Sequence, residues 1–138
     1  MNSFVACDTA CVDATVSEAG VMLLRVSGVV TTTFAIRAFG TSLSRLIGRR
    51  LAVTVDWRPA VDCIDDHMEV ERSLALRAGA HYTRAPLAAI TSQALLPAMR
   101  RFAREAALLG RTRRLFLPSQ AAEAAIWARD EAVIYRVS

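Results

Sequence analysis

The sequence contains no lysine, and all 17 of its basic residues are arginine. Because the chain is also rich in alanine, this exclusive use of arginine reflects genome composition more than selection for phosphate contacts. The net charge of +4 is modest for 138 residues, and a nucleic-acid groove would interleave basic side chains with aromatic ones. We therefore expect no nucleic-acid partner. One arginine cluster, predicted on the solvated face of a helix, comprises Arg100, Arg101 and Arg104. A second is predicted around the C-terminus of that helix, where positive charge is favourable, and comprises Arg111, Arg113 and Arg114.

Cysteine and histidine are also scarce, which limits metal and redox chemistry. The chain has three cysteines and two histidines. The cysteines are odd in number and have no CxxC spacing, so neither a disulfide framework nor a zinc site is expected. The sequence contains no GxSxG turn and no glycine-rich phosphate loop, which leaves no pattern for a hydrolase triad or a bound nucleotide. We expect no cofactor and no resident metal.

Long apolar runs are missing as well, although 54% of the residues are hydrophobic. The longest run, residues 21–30, is interrupted by Arg25, Ser27 and Gly28, and a membrane span needs about 20 apolar residues. No basic residue precedes the first apolar residues, and Asp8 comes early, which is not typical of a secretory signal. We therefore expect one cytoplasmic domain over residues 1–138 with a single core.

The sequence does contain a regular alternation of strand and helix patterns. Strands are predicted at residues 21–30, 50–57, 86–91, 113–117 and 132–137, with an edge strand at 4–7 or 11–16. Apolar residues at helical spacing predict helices at 34–47, at 68–78, from 92 to 109 and around 119–127, while His81 and Tyr82 are assigned to a loop. This order predicts an α/β fold. We expect a mixed β-sheet of four to five strands, flanked by about four helices, with 50–57 and 86–91 adjacent and parallel at its centre.

The order of these elements carries a resemblance to a known family. The segments "LAVTVDW", "PLAAIT" and "GRTRRLFLPSQAAEAAIWA" follow one another as in the STAS domains, which include the SpoIIAA-like anti-sigma-factor antagonists. The chain is most similar to stand-alone bacterial members of unassigned function, especially in the tail that contains Gly110, Phe116, Ala124 and Trp127. The resemblance covers about residues 20–130. It implies a SpoIIAA-like fold and a regulatory role through protein binding.

The resemblance also indicates a switch position, at which the antagonists carry a phosphorylatable serine or threonine after an aspartate. If Asp56 and Asp65 correspond to the aspartates of the family pattern, Asp66 occupies the serine position. His67 then stands where a small residue is usual, and one extra residue lies between strand and helix. A carboxylate cannot accept a phosphoryl group as a stable ester, and it carries less charge than phosphoserine. The resemblance therefore implies the fold more directly than the switching mechanism.

The acidic stretch "VDWRPAVDCIDDHMEV" permits three interpretations. Asp65 and Asp66 fall where a helix should begin, and carboxylates there accept backbone N–H groups and interact with the positive end of the helix. In the second interpretation, Asp65, Asp66 and His67 form a partner or ligand site at this turn. In the third, Asp62 joins them in a metal or acid-base cluster. His67 directly follows Asp66, so neither the HxxE spacing nor a calcium loop is present.

Two functions from different classes follow from these interpretations. The first is a non-enzymatic regulatory or binding domain, which uses helix 68–78 and an adjacent groove to hold a protein partner or a small apolar ligand. The second is a small metal-dependent hydrolase or lyase that uses Asp62, Asp65, Asp66 and His67. The absence of a nucleophile paired with a base favours the first, so we expect no enzymatic activity. A homodimer is compatible with either function.

Overall fold

The structure is a computed structural model that describes residues 2–46, 48–63 and 66–138. Within these ranges the strands are β1 (Asn2–Ala6), β2 (Ala10–Val16), β3 (Val21–Val29), β4 (Ala52–Asp56), β5 (Ala60–Asp62), β6 (Leu87–Ile90) and β7 (Arg113–Phe116). The α-helices are α1 (Thr32–Leu43), α2 (His67–Ala78), α3 (Ala80–Arg84), α4 (Leu96–Leu108) and α5 (Ala121–Val137). Two predicted positions, Ile47 at the end of the first helix and Asp65 in the acidic turn, lie outside the described residues.

The strands form one mixed sheet in the order β1-β2-β3-β4-β6-β7, and β5 pairs with β3 beyond this path. β1, β2 and β3 are antiparallel neighbours, whereas β3, β4, β6 and β7 run parallel. β4 and β6 are adjacent, with Val53 opposite Leu87 and Val55 opposite Ala89. The predicted α/β fold, with a mixed sheet flanked by helices and this parallel pair at its centre, is therefore confirmed.

The described sheet has more strands than the four to five that we predicted. Both of the alternative N-terminal segments form strands, and they pair as a hairpin with Val5 opposite Val12. The short strand β5 follows the turn after β4 and pairs with the end of β3, where Ala60 lies opposite Gly28. Three residues cannot show an alternating pattern, so β5 is specified by its neighbour in the sheet and not by its own sequence.

Helices α1, α2 and α4 cover one face of the sheet. Side chains alternate along a strand, so Val53 and Val55 of β4 point to this face and Thr54 and Asp56 point to the other. The two valines belong to the main apolar cluster, in which strand residues pack against side chains of the three helices, including Leu43, Leu74 and Met99. Trp57 is buried in the same cluster and packs edge-on against Phe39, with ring centroids 5.7 Å apart.

Helix α5 lies on the opposite face, against β4 and β6. Its Ala124, Ala128 and Ala132 are at most 1% exposed, and their four-residue spacing places all three on one side of the helix. Small side chains along this side let the helix approach the sheet closely, while Trp127 packs near Phe116 at 6.0 Å between ring centroids. Among the described ranges, no helix has the length and apolar character needed to cross a membrane.

The predicted terminal strand at residues 132–137 is wrong, because α5 continues to Val137. The segment "AVIYRV" alternates well enough to resemble a strand, but no glycine or proline separates it from the helix that precedes it. Ala132 and the half-buried Tyr135 continue the inward-facing series that begins at Ala124 and Ala128. The segment is therefore helical, because burying residues at helical spacing against the sheet stabilises it more than local alternation favours a strand.

The loop predicted at His81 and Tyr82 is also wrong, because both residues lie in α3. Gly79 ends α2 with a positive φ of 56°, which turns the chain and lets its carbonyl oxygen accept the N–H groups of Tyr82 and Thr83 at 3.1 Å. The turn points Tyr82 into the core, where it is 3% exposed. A glycine that stops one helix and starts another leaves little loop between them.

Candidate functional site

The predicted site begins at the N-terminus of α2, directly after the acidic turn. Asp66 is exposed and is the N-cap residue of α2, with its Oδ1 accepting the backbone N–H of Glu69 at 2.9 Å. The capping role predicted for Asp66 is confirmed. His67 is the first residue of α2, its side chain is not among those described, and Asp65 lies outside the described residues. Of these three side chains, the structure therefore describes that of Asp66 alone.

Asp62 does not extend this site into a metal cluster within the described residues. Its exposed carboxylate accepts the backbone N–H of the next residue, Cys63, at 2.8 Å. Its carbonyl oxygen accepts the N–H of Val30 at 3.2 Å, which joins the turn to the end of β3. Within the ranges that the structure describes, no group of three or more His, Cys, Asp or Glu side chains is placed to hold a metal ion.

Asp56, in the same acidic stretch, is in a different environment. Its side chain is 3% exposed and accepts two hydrogen bonds from the Arg58 guanidinium, at 2.9 Å from Nε and 2.8 Å from Nη2. The backbone N–H of Arg58 donates a third at 3.0 Å, and Arg25 Nε lies 3.9 Å away. Burial alone would raise the pKa of Asp56, but the hydrogen bonds from Arg58 and the charges of Arg58 and Arg25 hold this pKa below its ordinary value.

A shallow groove lies beside α2, on the surface of the helix that follows the acidic turn. We call it the α2 groove and define it by Met68, Arg72, Leu76, Leu109 and Arg111. Its volume is about 330 Å³. Leu76 is 83% exposed and Leu109 is 51% exposed, so the groove presents apolar side chains to solvent, with Arg72 at its edge. Arg72 is paired only with the exposed Glu69 at 3.3 Å within the described contacts, an arrangement that contributes little and leaves Arg72 accessible.

The floor of the α2 groove is a buried ion pair that sequence reasoning missed. Glu71 is 4% exposed, and its Oε2 accepts a hydrogen bond from Arg111 at the end of α4. Arg113 donates to the carbonyl oxygens of Tyr82 at 3.2 Å and Ala85 at 2.5 Å. Burial and the charge of Glu71 raise the pKa of Tyr82 well above its ordinary value, although Arg113 and Arg111 oppose this shift. These contacts join α2, α3 and β7 beneath the groove.

Two members of the arginine cluster predicted around the C-terminus of α4 also pair with other elements. Arg111 and Arg113 are half-buried and bonded as described, because they lie where the chain passes from α4 into β7 beneath α2 and α3. Arg100, Arg101 and Arg104 are exposed on α4 as predicted, and Arg114 is exposed as well. The spacing of charges on one helix predicts its own solvated face. It contains no information on which arginines meet a carboxylate from another helix.

Comparison of the chain with protein-family models gave no match, and comparison with curated proteins gave none either. The resemblance to STAS domains therefore continues to depend on the order and pattern of the elements in the sequence. The geometry of the α2 groove and of the turn before it is the basis for a functional proposal.

Proposed function

We propose that the protein is a non-enzymatic regulatory domain of the STAS type, acting in the bacterial cytoplasm, which binds a protein partner through the α2 groove. The observation that carries this proposal is the exposure of Leu76 and Leu109 beside the Asp66-capped helix. Apolar side chains that share a surface groove mark interaction sites more often than isolated ones do. The position of the groove, next to the turn that corresponds to the family's switch, agrees with the resemblance.

The groove chemistry favours one kind of partner. A complementary surface would place one or two apolar side chains against Leu76 and Leu109 and a carboxylate near Arg72. Arg72 and Glu69 are 68% and 46% exposed, respectively, at their side chains, so their mutual pairing is weak and can be exchanged for a pair across the interface. The buried Glu71–Arg111 pair below holds α2 and the end of α4 together, which gives the partner a fixed surface.

The alternative of a metal-dependent hydrolase or lyase has no comparable support among the described side chains. Asp62 and Asp66 both accept backbone N–H groups, and they do so with separate neighbours. A metal site needs several ligands converging on one point. We therefore retain only the binding function as the proposal. Thermal denaturation with and without added cations would test the metal alternative.

The test compares two double variants of the full chain. The first combines Leu76→Gln with Leu109→Gln and removes the apolar side chains of the α2 groove. The control combines Ile126→Gln with Val133→Gln on α5, which lies on the opposite face of the sheet. Ile126 and Val133 are 58% and 52% exposed. Proteins captured from an extract of the source cell are identified with each bait. The candidate partner is then purified and titrated by calorimetry.

We expect a partner that binds the unmodified chain and the α5 control with equal affinity. The α2-groove variant should bind it at least about tenfold more weakly, because truncating buried apolar anchors costs more than about 1.4 kcal/mol. Equal affinity for all three proteins would contradict the placement of the site. If no purified protein binds the unmodified chain, the binding function itself is contradicted.

A further inference from the structure

A second groove lies on the other side of the sheet, where α5 covers only part of the surface. α5 packs against β4 and β6, and the outward-facing side chains of β3 remain half-buried or exposed beside it. The open space between them has a volume of about 540 Å³, which is within the range typical of small-molecule sites. We call it the sheet groove, and define it by Ala125 and Arg129 of α5 and Val21, Leu23 and Arg25 of β3.

One end of the sheet groove contains an immobilised cation. The register of β3 and β4 places Arg25 beside Asp56, and the buried carboxylate of Asp56 holds the Nε and Nη2 atoms of Arg58 at 2.9 and 2.8 Å. A guanidinium group has five N–H donors, so Arg58 retains donors that Asp56 does not use. Its side chain is 41% exposed and lines the groove. A fixed guanidinium with free donors loses little conformational entropy when it binds an oxyanion.

The charge of the groove is not balanced by its own carboxylate. Arg25, Arg58 and Arg129 line it together with one acidic side chain, Asp56. Arg129 has no hydrogen bond or ion pair to any of the residues that the structure describes. Asp13 is exposed and lies opposite Arg25 in the register of β2 and β3, and even with Asp13 included the arginines remain in excess. The groove therefore attracts an anion.

Most of the remaining lining of the sheet groove is apolar, with the hydroxyl groups of Thr15, Ser17 and Thr54 among it. Leu23 and Val21 precede Arg25 on the same side of β3, and Ala125 of α5 lines the groove with them. Ile90 of β6 lies beside Asp56, at the charged end. Leu23 lies beside Thr54 and Val21 beside Ala52, so the sheet surface becomes less charged from the carboxyl end of β3 toward its start. This polarity along the strands fits a molecule with an anionic group at one end and an apolar body.

We propose that the sheet groove binds a small molecule that carries a carboxylate or phosphate group on an apolar body. The anionic group contacts Arg25 and Arg58 at the carboxyl end of β3, and the apolar body lies over Val21 and Leu23. This site is separate from the α2 groove, which lies on the other side of the sheet, so either can fail its test without affecting the other.

The binding test uses four probes titrated into the purified full chain by calorimetry. Decanoate and decyl phosphate carry both features, and decanol and inorganic phosphate carry one each. We expect at least one of the first two to bind saturably with a Kd of about 1 mM or tighter, and which of them binds more tightly identifies the head group. Decanol and inorganic phosphate should each bind at least about tenfold more weakly. If decanol binds as well as decanoate, or inorganic phosphate as well as decyl phosphate, or no probe binds, the proposal is overturned.

Three variants locate the bound probe. Arg25→Gln removes a guanidinium whose side chain is 56% exposed and whose described ion pair, with Asp56, is a long one at 3.9 Å. Ala125→Phe fills the groove without changing its charge. The control is Arg101→Gln, which removes another exposed arginine, on α4. We expect affinity to fall about tenfold or more in the first two variants, in line with the loss of a charge-assisted contact or of the space itself. It should be unchanged in the control. Unchanged binding in both groove variants would show that the probe binds elsewhere and would overturn the proposal.

Discussion

The aspartates of the acidic stretch occupy very different environments. Asp56 is buried against two arginines, Asp62 is exposed and bonded to its neighbour, and Asp66 is exposed at the start of α2. The stretch therefore divides between a groove on one side of the sheet and a helix cap on the other side. The three aspartates are close in sequence and therefore resemble one cluster, but the strand, the turn and the helix that carry them point their side chains in different directions.

Replacing Asp66 tests whether it acts as a simple cap. Asp66→Ala should cost about 0.5–2 kcal/mol in the free energy of unfolding, and Asp66→Ser should cost less, because serine caps nearly as well as aspartate. Chemical denaturation of the three proteins measures these differences. A loss above about 4 kcal/mol for Asp66→Ser would indicate a buried and paired carboxylate. In that case the alignment of Asp66 with the family's switch position would be wrong.

Replacing Asp56 tests the buried ion pair through its pH dependence. The pKa of Asp56 is lowered in the folded state, so its contribution to stability is present above the unfolded pKa of about 4 and is lost as the pH falls through the folded pKa. Asp56→Asn should be less stable by about 1–3 kcal/mol at pH 7, because charge-assisted hydrogen bonds to Arg58 are removed. Other carboxylates titrate in both proteins, so the difference in unfolding free energy between them is the relevant measurement. It should shrink below about pH 4; a difference that is constant between pH 7 and pH 2.5 would contradict the assignment.

At the scale of elements, the parts that could be predicted from sequence are those specified locally. The cap at Asp66 and the parallel pair β4 and β6 each follow from a short run of residues with a clear pattern. β5 and the C-terminal part of α5 do not, because their conformations depend on β3 and on the sheet face that they cover. The segment "AVIYRV" does alternate well enough to resemble a strand, but it is helical because packing against the sheet determines its conformation.

Gly28 provides a test of how β3 meets the hairpin and β5. It has a φ of +83°, lies where the pairing with β5 shifts register, and would place an added Cβ atom 2.0 Å from the carbonyl oxygen of Thr9. Gly28→Ala should therefore lower the free energy of unfolding by about 3 kcal/mol or more, through backbone strain and this backbone clash. The control is Gly110→Ala, which also has a positive φ, 70°, but meets no atom within 4 Å. Equal losses for the two variants would show that the contact with Thr9 contributes nothing.

At the scale of the whole molecule, the candidate sites come from contacts between distant segments. Arg111 and Glu71 are separated by 40 positions, and no periodicity within one helix indicates that they meet. The Asp56–Arg58 pair was not predicted either, although the sequence contains a signal for it. In "VDWRP", an aspartate at the end of a buried strand is followed two residues later by arginine. What the sequence could not show was that α5 leaves part of the sheet uncovered. This creates a groove that the pair lines together with Arg25 and Arg129.

The stability of the whole domain distinguishes the binding function from the metal-dependent alternative. A ligand that binds only the folded state raises the melting temperature in proportion to the logarithm of its concentration over Kd. Asp62 and Asp66 already accept backbone N–H groups from different neighbours, so we expect them to offer no shared site to a cation. The melting temperature should therefore be the same in EDTA and in excess Mg²⁺ or Mn²⁺. A rise with Mn²⁺ that disappears in Asp62→Asn with Asp66→Asn would support the hydrolase or lyase. A rise that persists in this double variant would assign the cation to another part of the molecule and would leave the acidic turn without a metal role.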